Sequence, residues 1–265
     1  MWRMCSWSSS PPSPANAEHT LERALQASAL VAVGITAKEL RMVAIYVIAL
    51  VISVSIHEFA HAFSADKLGD PTPRQEDRLT LNPVSHADPI GTLLLPIFAG
   101  LSHLPLLGWG RPVPTNPRYY TRKISMRAGL ALVAFAGPLS NVIQAILTMA
   151  LWLGLAAVGL VGTSVFAPTD GISEFLKIFL VLNVVLALFN LLPFHPLDGG
   201  KVLAWLLPPK YEYIDDFLMR HGGWIILGLV FLPGMLGLPD VLSIILTPVI
   251  TGTLKLMVTL LGLLG

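Results

Sequence analysis

Three ionisable side chains fall within five residues at His57-Glu58-Phe59-Ala60-His61, directly after an almost wholly apolar run from Val43 to Ile56. On a helix, residues four apart stand one turn apart on the same face, so the two imidazoles can reach a single ion with the glutamate beside it. That is the ligand pair and general base of a zinc hydrolase. The setting sharpens the reading, because an ionisable group near the centre of a bilayer costs roughly 2.5–3.5 kcal/mol. A helix end emerging into water would accommodate the same residues, so the chemistry requires a third ligand.

The candidate for that ligand is Asp198, the one carboxylate in a mostly apolar stretch from Phe175 to Leu207, between Pro196 and the pair Gly199-Gly200. A carboxylate at membrane depth must pair, bind metal or line water; an aspartate capping a helix that begins at Gly199 is the structural alternative. Two histidines and one distant carboxylate form a set whose fourth position stays free for water, the pattern of catalytic rather than structural zinc. The chain's single cysteine, Cys5, leaves histidine and carboxylate as the available donors and excludes an intrachain disulfide.

Positioning these groups requires a membrane scaffold. With 54% hydrophobic residues, 12% charged residues and a mean hydropathy of +0.70, the 265-residue chain reads as a polytopic membrane protein. Its net charge of +1 carries no message about nucleic acid, and none is expected as a partner. Residues 1–41 read as an N-terminal extension, disordered or on the surface, with a membrane span over 24–37 left open. Residues 42–265 form the functional domain, with a core at 42–205 and accessory helices at 206–265.

The first secure span is predicted from about Met42 to Ala65. Alternation at Arg78-Leu79-Thr80-Leu81 suggests a short strand, and the apolar segment 90–107 is broken by Gly91, Pro96, Gly100 and Pro105. A long apolar run from Ala128 to Phe166 carries Pro138, expected to kink it. Further spans follow from Phe175, at about 222–236 and at 241–263. A metal shared by His57, His61 and Asp198 places the ends of two spans at one depth, so 90–107 makes no net crossing. The fold class is therefore all-α and polytopic, with about five to six transmembrane helices and a re-entrant or short-strand segment between the first two core helices. Arg111, Arg118, Arg122, Lys123 and Arg127 share a loop that lacks any acid, whereas 167–174 has two acids and no base; basic loops stay inside, so the site faces the cytoplasm.

Three motifs in this order, His57-Glu58-Phe59-Ala60-His61, Ala136-Gly137-Pro138 with Asn141, and Asn190 through Pro193 to Leu197-Asp198-Gly199, resemble the site-2 protease family of intramembrane zinc metalloproteases. The likeness spans about residues 42–205. Gly69-Asp70-Pro71, Asn82-Pro83 and Gly108-Trp109 further resemble its minimal prokaryotic branch without PDZ or CBS domains. The resemblance implies one zinc ion held by His57, His61 and Asp198, with Glu58 as general base and then acid. It also implies that Asn190 steadies the substrate backbone or oxyanion, and it places Asn141 near the site. His195 departs from the family, which more often has proline or a small apolar residue there, and is read as a polar neighbour of the metal rather than a ligand. The implied partners are a transmembrane protein or peptide substrate and the lipid bilayer, and the implied place is a prokaryotic plasma membrane; oligomeric state is unread. The competing class, a non-catalytic zinc-binding scaffold or metal carrier, calls for ligands strung along several spans or for loss of Glu58.

Overall fold

A computed structural model describes residues 36–102, 108–237 and 239–263. Cys5 and nearly all of the segment 24–37 lie outside them. The first span is helix α1, Ala37–Lys67. The Thr36 hydroxyl accepts from the Glu39 N–H while the Glu39 carboxylate accepts from the Thr36 N–H, and this reciprocal cap starts the helix about five residues before the expected Met42.

The next membrane-facing segment, α2, begins at Pro89 as a π-helix to Leu94 and continues as an α-helix over Leu95–Leu101. Asp88 caps its start by accepting from the N–H groups of Ile90 and Gly91. By Trp109 the chain has come back to that same end, where the Trp109 N–H donates to Gly91 O at 3.2 Å and the Thr92 hydroxyl donates to Trp109 O at 2.7 Å. The segment therefore enters and leaves on one side. No strand forms at Arg78-Leu79-Thr80-Leu81, correcting the expectation from alternation. The Arg78 side chain is instead buried beneath 111–112, and Thr80 O accepts from His86, which folds the stretch into a turn. Among the described residues the isolated β-bridge is an antiparallel one, Ala87 with Gly110.

Five more helices follow: α3 Met126–Ala157, α4 Gly171–Asn190, α5 Asp198–Leu206, α6 Glu212–Leu236 and α7 Val241–Gly262. Five of the seven, α1, α3, α4, α6 and α7, are long and apolar enough to cross a membrane. At about 1.5 Å per residue, a 20-residue helix such as α4 matches a hydrocarbon core of about 30 Å. Pro138 lies within α3 without ending it.

The polarity of α3 is turned inside out relative to a helix in water. Leu132, Phe135, Leu139, Ile143 and Ile146 face outward, while Gly137, Asn141, Gln144 and Thr148 are buried. Lipid tails satisfy leucine as well as a core does, so the interior is held by close approach at small residues and by interhelical hydrogen bonds. Away from the polar interior, Trp152, Leu176 and Leu180 pack with Leu254, Met257 and Leu261 of α7, while Ala49, Leu50 and Val54 of α1 pack with Leu182 of α4. An Arg41–Glu174 ion pair ties the start of α1 to the start of α4. The opposite ends of those helices carry His61 and Asn190.

Candidate metal centre

His57 and His61 are both buried on α1, and Asp198 opens α5 immediately after the α4–α5 loop. The three reaching atoms nearly form an equilateral triangle: His57 Nε2 to His61 Nε2 3.0 Å, His57 Nε2 to Asp198 Oδ2 3.2 Å and His61 Nε2 to Asp198 Oδ2 3.1 Å. Four ligands arranged tetrahedrally at 2.0–2.1 Å from zinc lie about 3.3 Å apart, so the spacing fits that ion. The chemistry fits as well. His61 Nδ1 donates to Val133 O at 2.7 Å and His57 Nδ1 faces Asn141 Oδ1 at 2.6 Å, which commits the Nδ1 protons and leaves both Nε2 lone pairs aimed at each other and at a carboxylate. Three such donors converging in a buried space call for a cation. Asp198 makes no side-chain cap, so the capping alternative does not describe it; its other oxygen, Oδ1, pairs with Lys201 Nζ at 3.3 Å.

Glycines bring the elements this close. A Cβ on Gly137 would stand 2.5 Å from His57 Nε2 and 2.5 Å from His61 Nε2, so α3 approaches the ligand face only because position 137 has no side chain. On the other side, a Cβ on Gly199 would meet Leu191 O and Leu192 O at 2.3 Å, and one on Gly200 would meet His195 N at 2.8 Å. The Gly199-Gly200 pair therefore lets the first turn of α5 fold back on the loop that delivers Asp198.

A cavity of about 350 Å³ opens over the triangle, lined by His57, Glu58, His61, Asn190, Asp198 and Lys201 and by Gly108–Gly110, Pro112 and Val113. Glu58 Oε2 accepts from the Val113 N–H at 3.0 Å, and among the described residues its second oxygen has no hydrogen-bond partner. The segment over the cavity is strapped down at several points. Arg78 Nη2 donates to the carbonyls of Arg111 and Pro112, the Arg111 N–H donates to His86 O at 2.8 Å, and the Asn116 N–H donates to buried Asp70 Oδ2 at 2.6 Å. His86 lies in the loop between α1 and α2 with its Nε2–H on Thr80 O at 2.7 Å, and burial pushes its pKa below the ordinary histidine value.

Of the residues predicted from sequence, His57, His61 and Asp198 come together, Glu58 shares their cavity, and Asn141 touches His57. Asn190 stands on the cavity wall, its Nδ2 donating to Leu186 O at 3.0 Å. His195 turns away from the triangle: its Nε2 meets Asp215 Oδ1 of α6 at 2.9 Å, with both side chains largely buried. Sequence reasoning passed over Asn183 and Ser53 and gave Asp70 no role beyond its motif, and all three are fully buried. Asn183 carried a usable signal, an amide in the middle of an apolar span.

The model of Peptidase family M50 matches residues 101–229. YwhC of Bacillus subtilis is 42% identical over 163 residues, covering 62% of this chain and 69% of its own. Rip2 of Mycolicibacterium smegmatis is 28% identical over 215 residues, 76% of this chain and 73% of its own, and Rip2 of Mycobacterium tuberculosis is 30% identical over 183 residues, 68% and 64% respectively. Each of the three bears the name "Putative zinc metalloprotease". No solved structure matches the chain significantly.

Proposed function

The chain belongs to peptidase family M50, the site-2 protease family, and is an integral membrane metalloprotease; from that premise we propose that it is a zinc-dependent intramembrane endopeptidase. It cuts transmembrane proteins or peptides within or near their membrane-spanning segments. The observation that carries this reading is the triangle of His57 Nε2, His61 Nε2 and Asp198 Oδ2, whose outer members lie 141 positions apart in the chain, set among helices long and apolar enough to cross a membrane.

These three residues hold one zinc ion per chain. Zinc at such a site supplies Lewis acidity and lowers the pKa of a coordinated water to about 7. Glu58, with one oxygen tethered to the Val113 N–H and the other facing the cavity, takes a proton from the attacking water and delivers it to the leaving amine. Asn190, on the same wall, steadies the substrate backbone. A helical peptide bond is shielded by its own hydrogen bonds, so the substrate unwinds locally to enter. The stretch 108–113, which carries the bridge residue Gly110, is the backbone edge beside which it lies. The basic loop from Arg111 to Arg127 continues from that edge, which supports a cytoplasmic-facing site in a prokaryotic plasma membrane.

The test compares membranes of cells carrying the intact chain with those carrying Glu58→Gln. Removing the base costs about 10²–10⁴-fold in cleavage, so single-span proteins accumulate uncut while the variant retains one zinc per chain by metal analysis. Undiminished cleavage in Glu58→Gln rejects the mechanism.

A further inference from the structure

The two histidines are aimed by different means. His61 Nδ1 meets a backbone carbonyl, Val133 O, which can only accept, so its proton sits on Nδ1 and its Nε2 is free. His57 Nδ1 meets the Asn141 side chain, and an amide can present either oxygen or nitrogen. Turned the other way, Asn141 would offer an N–H, drive the His57 proton onto Nε2 and point it at the ligand triangle. What chooses between these orientations lies one residue further out. Asn141 Nδ2 donates to Asn183 Oδ1 at 2.8 Å, and Asn183 Nδ2 donates both to Ser53 Oγ at 2.9 Å and to Phe179 O at 2.9 Å. Phe179 O is again a pure acceptor, so it fixes Asn183, which fixes Asn141, which fixes His57. All the polar side chains of this chain of bonds are buried in apolar surroundings, where an inverted amide would leave like groups facing each other unsolvated.

We infer that Asn183, which makes no contact with the ligand triangle, is a positioning residue that sets the tautomer of His57 through Asn141. The inference rests on the zinc-protease reading and extends it to a residue on α4. It gives α4 two tasks at the site, delivering the loop that carries Asp198 and steering a ligand borne by α1.

Zinc affinity of the full chain in nanodiscs, measured by competition with a chromophoric chelator, tests it. Asn183→Leu has nearly the native volume but offers Asn141 no acceptor; Asn183→Asp keeps an oxygen for Asn141. Loss of a hydrogen-bond partner behind a metal histidine weakens binding about 10–100-fold. Asn183→Leu is therefore expected to lose at least about tenfold, with Asn183→Asp within about threefold of the intact chain. A residue that merely filled space would give the reverse order, since leucine packs well there and a buried carboxylate does not. Any order other than Leu weaker than Asp overturns the inference. If Asn183→Leu is not recovered folded, Asn183→Asp decides alone: retention supports the inference, and a loss of about tenfold or more sinks it. An intact chain that binds no zinc, or a His57→Ala form that binds as well as the intact chain, is instead a failure of the zinc-protease reading.

Discussion

Gly137 carries more of the site's geometry than its size suggests. Its hydrogen stands where a methyl would overlap both ligand nitrogens, so Gly137→Ala must push α3 off α1 or turn the imidazoles out of the triangle. We expect Gly137→Ala to abolish zinc retention on purification, read by metal analysis. Gly154 lies on the same helix with nothing within 4 Å of its would-be Cβ. Gly154→Ala should keep full zinc and leave the helix unchanged or more stable by about 0.5–1 kcal/mol. Equal zinc contents in the two variants would show that α3 does not need its close approach.

The loop that presents Asp198 is held by α6 as well as by α4 and α5. His195 pairs with Asp215, and a Cβ on Gly222 would stand 2.1 Å from His195 O, a backbone atom that no rotamer change can move aside. Gly222→Ala should therefore part α6 from the loop at a cost of about 1–3 kcal/mol, lowering both the unfolding temperature in detergent and the zinc content. Gly223→Ala, with nothing within 4 Å, is the matched control and should change neither. This gives the histidine at position 195 a role in the fold. It serves a contact between elements and points away from the cavity.

Across the molecule, the ion pair of Arg41 with Glu174 and the ligand triangle mark two opposite ends of one bundle. Because α2 starts beside the point where the chain returns at Trp109, the segments 68–88 and 109–125 stay at the end that holds the site, together with 191–211. Single cysteines introduced into a Cys5→Ser background at Arg122 and at Lys210 are expected to react with a membrane-impermeant maleimide only after the cells are opened. A cysteine at Thr169, in the acidic link between α3 and α4, should react in intact cells. Labelling of Arg122→Cys and Lys210→Cys on opposite faces would show that 89–101 crosses after all and would separate the strap from the ligands it covers.

Much of this was readable in the residue order, because membrane burial makes polar side chains conspicuous. His57, Glu58, His61 and Asp198 announce themselves by cost, and a helix of apolar residues can be recognised by length alone. The need for one shared ion even dictated that the chain turn back after Pro89, and Trp109 lies beside Gly91. What the order of residues could not supply was direction: whether His195 faced the metal or Asp215, whether Arg78 to Leu81 paired as a strand or tucked beneath a strap, and which way two buried amides were turned. Those choices depend on which acceptors lie within about 3 Å in three dimensions, and a hydrogen-bond partner on another helix leaves no periodic trace in its own. Local chemistry nominates the donors; only packing decides what each one meets.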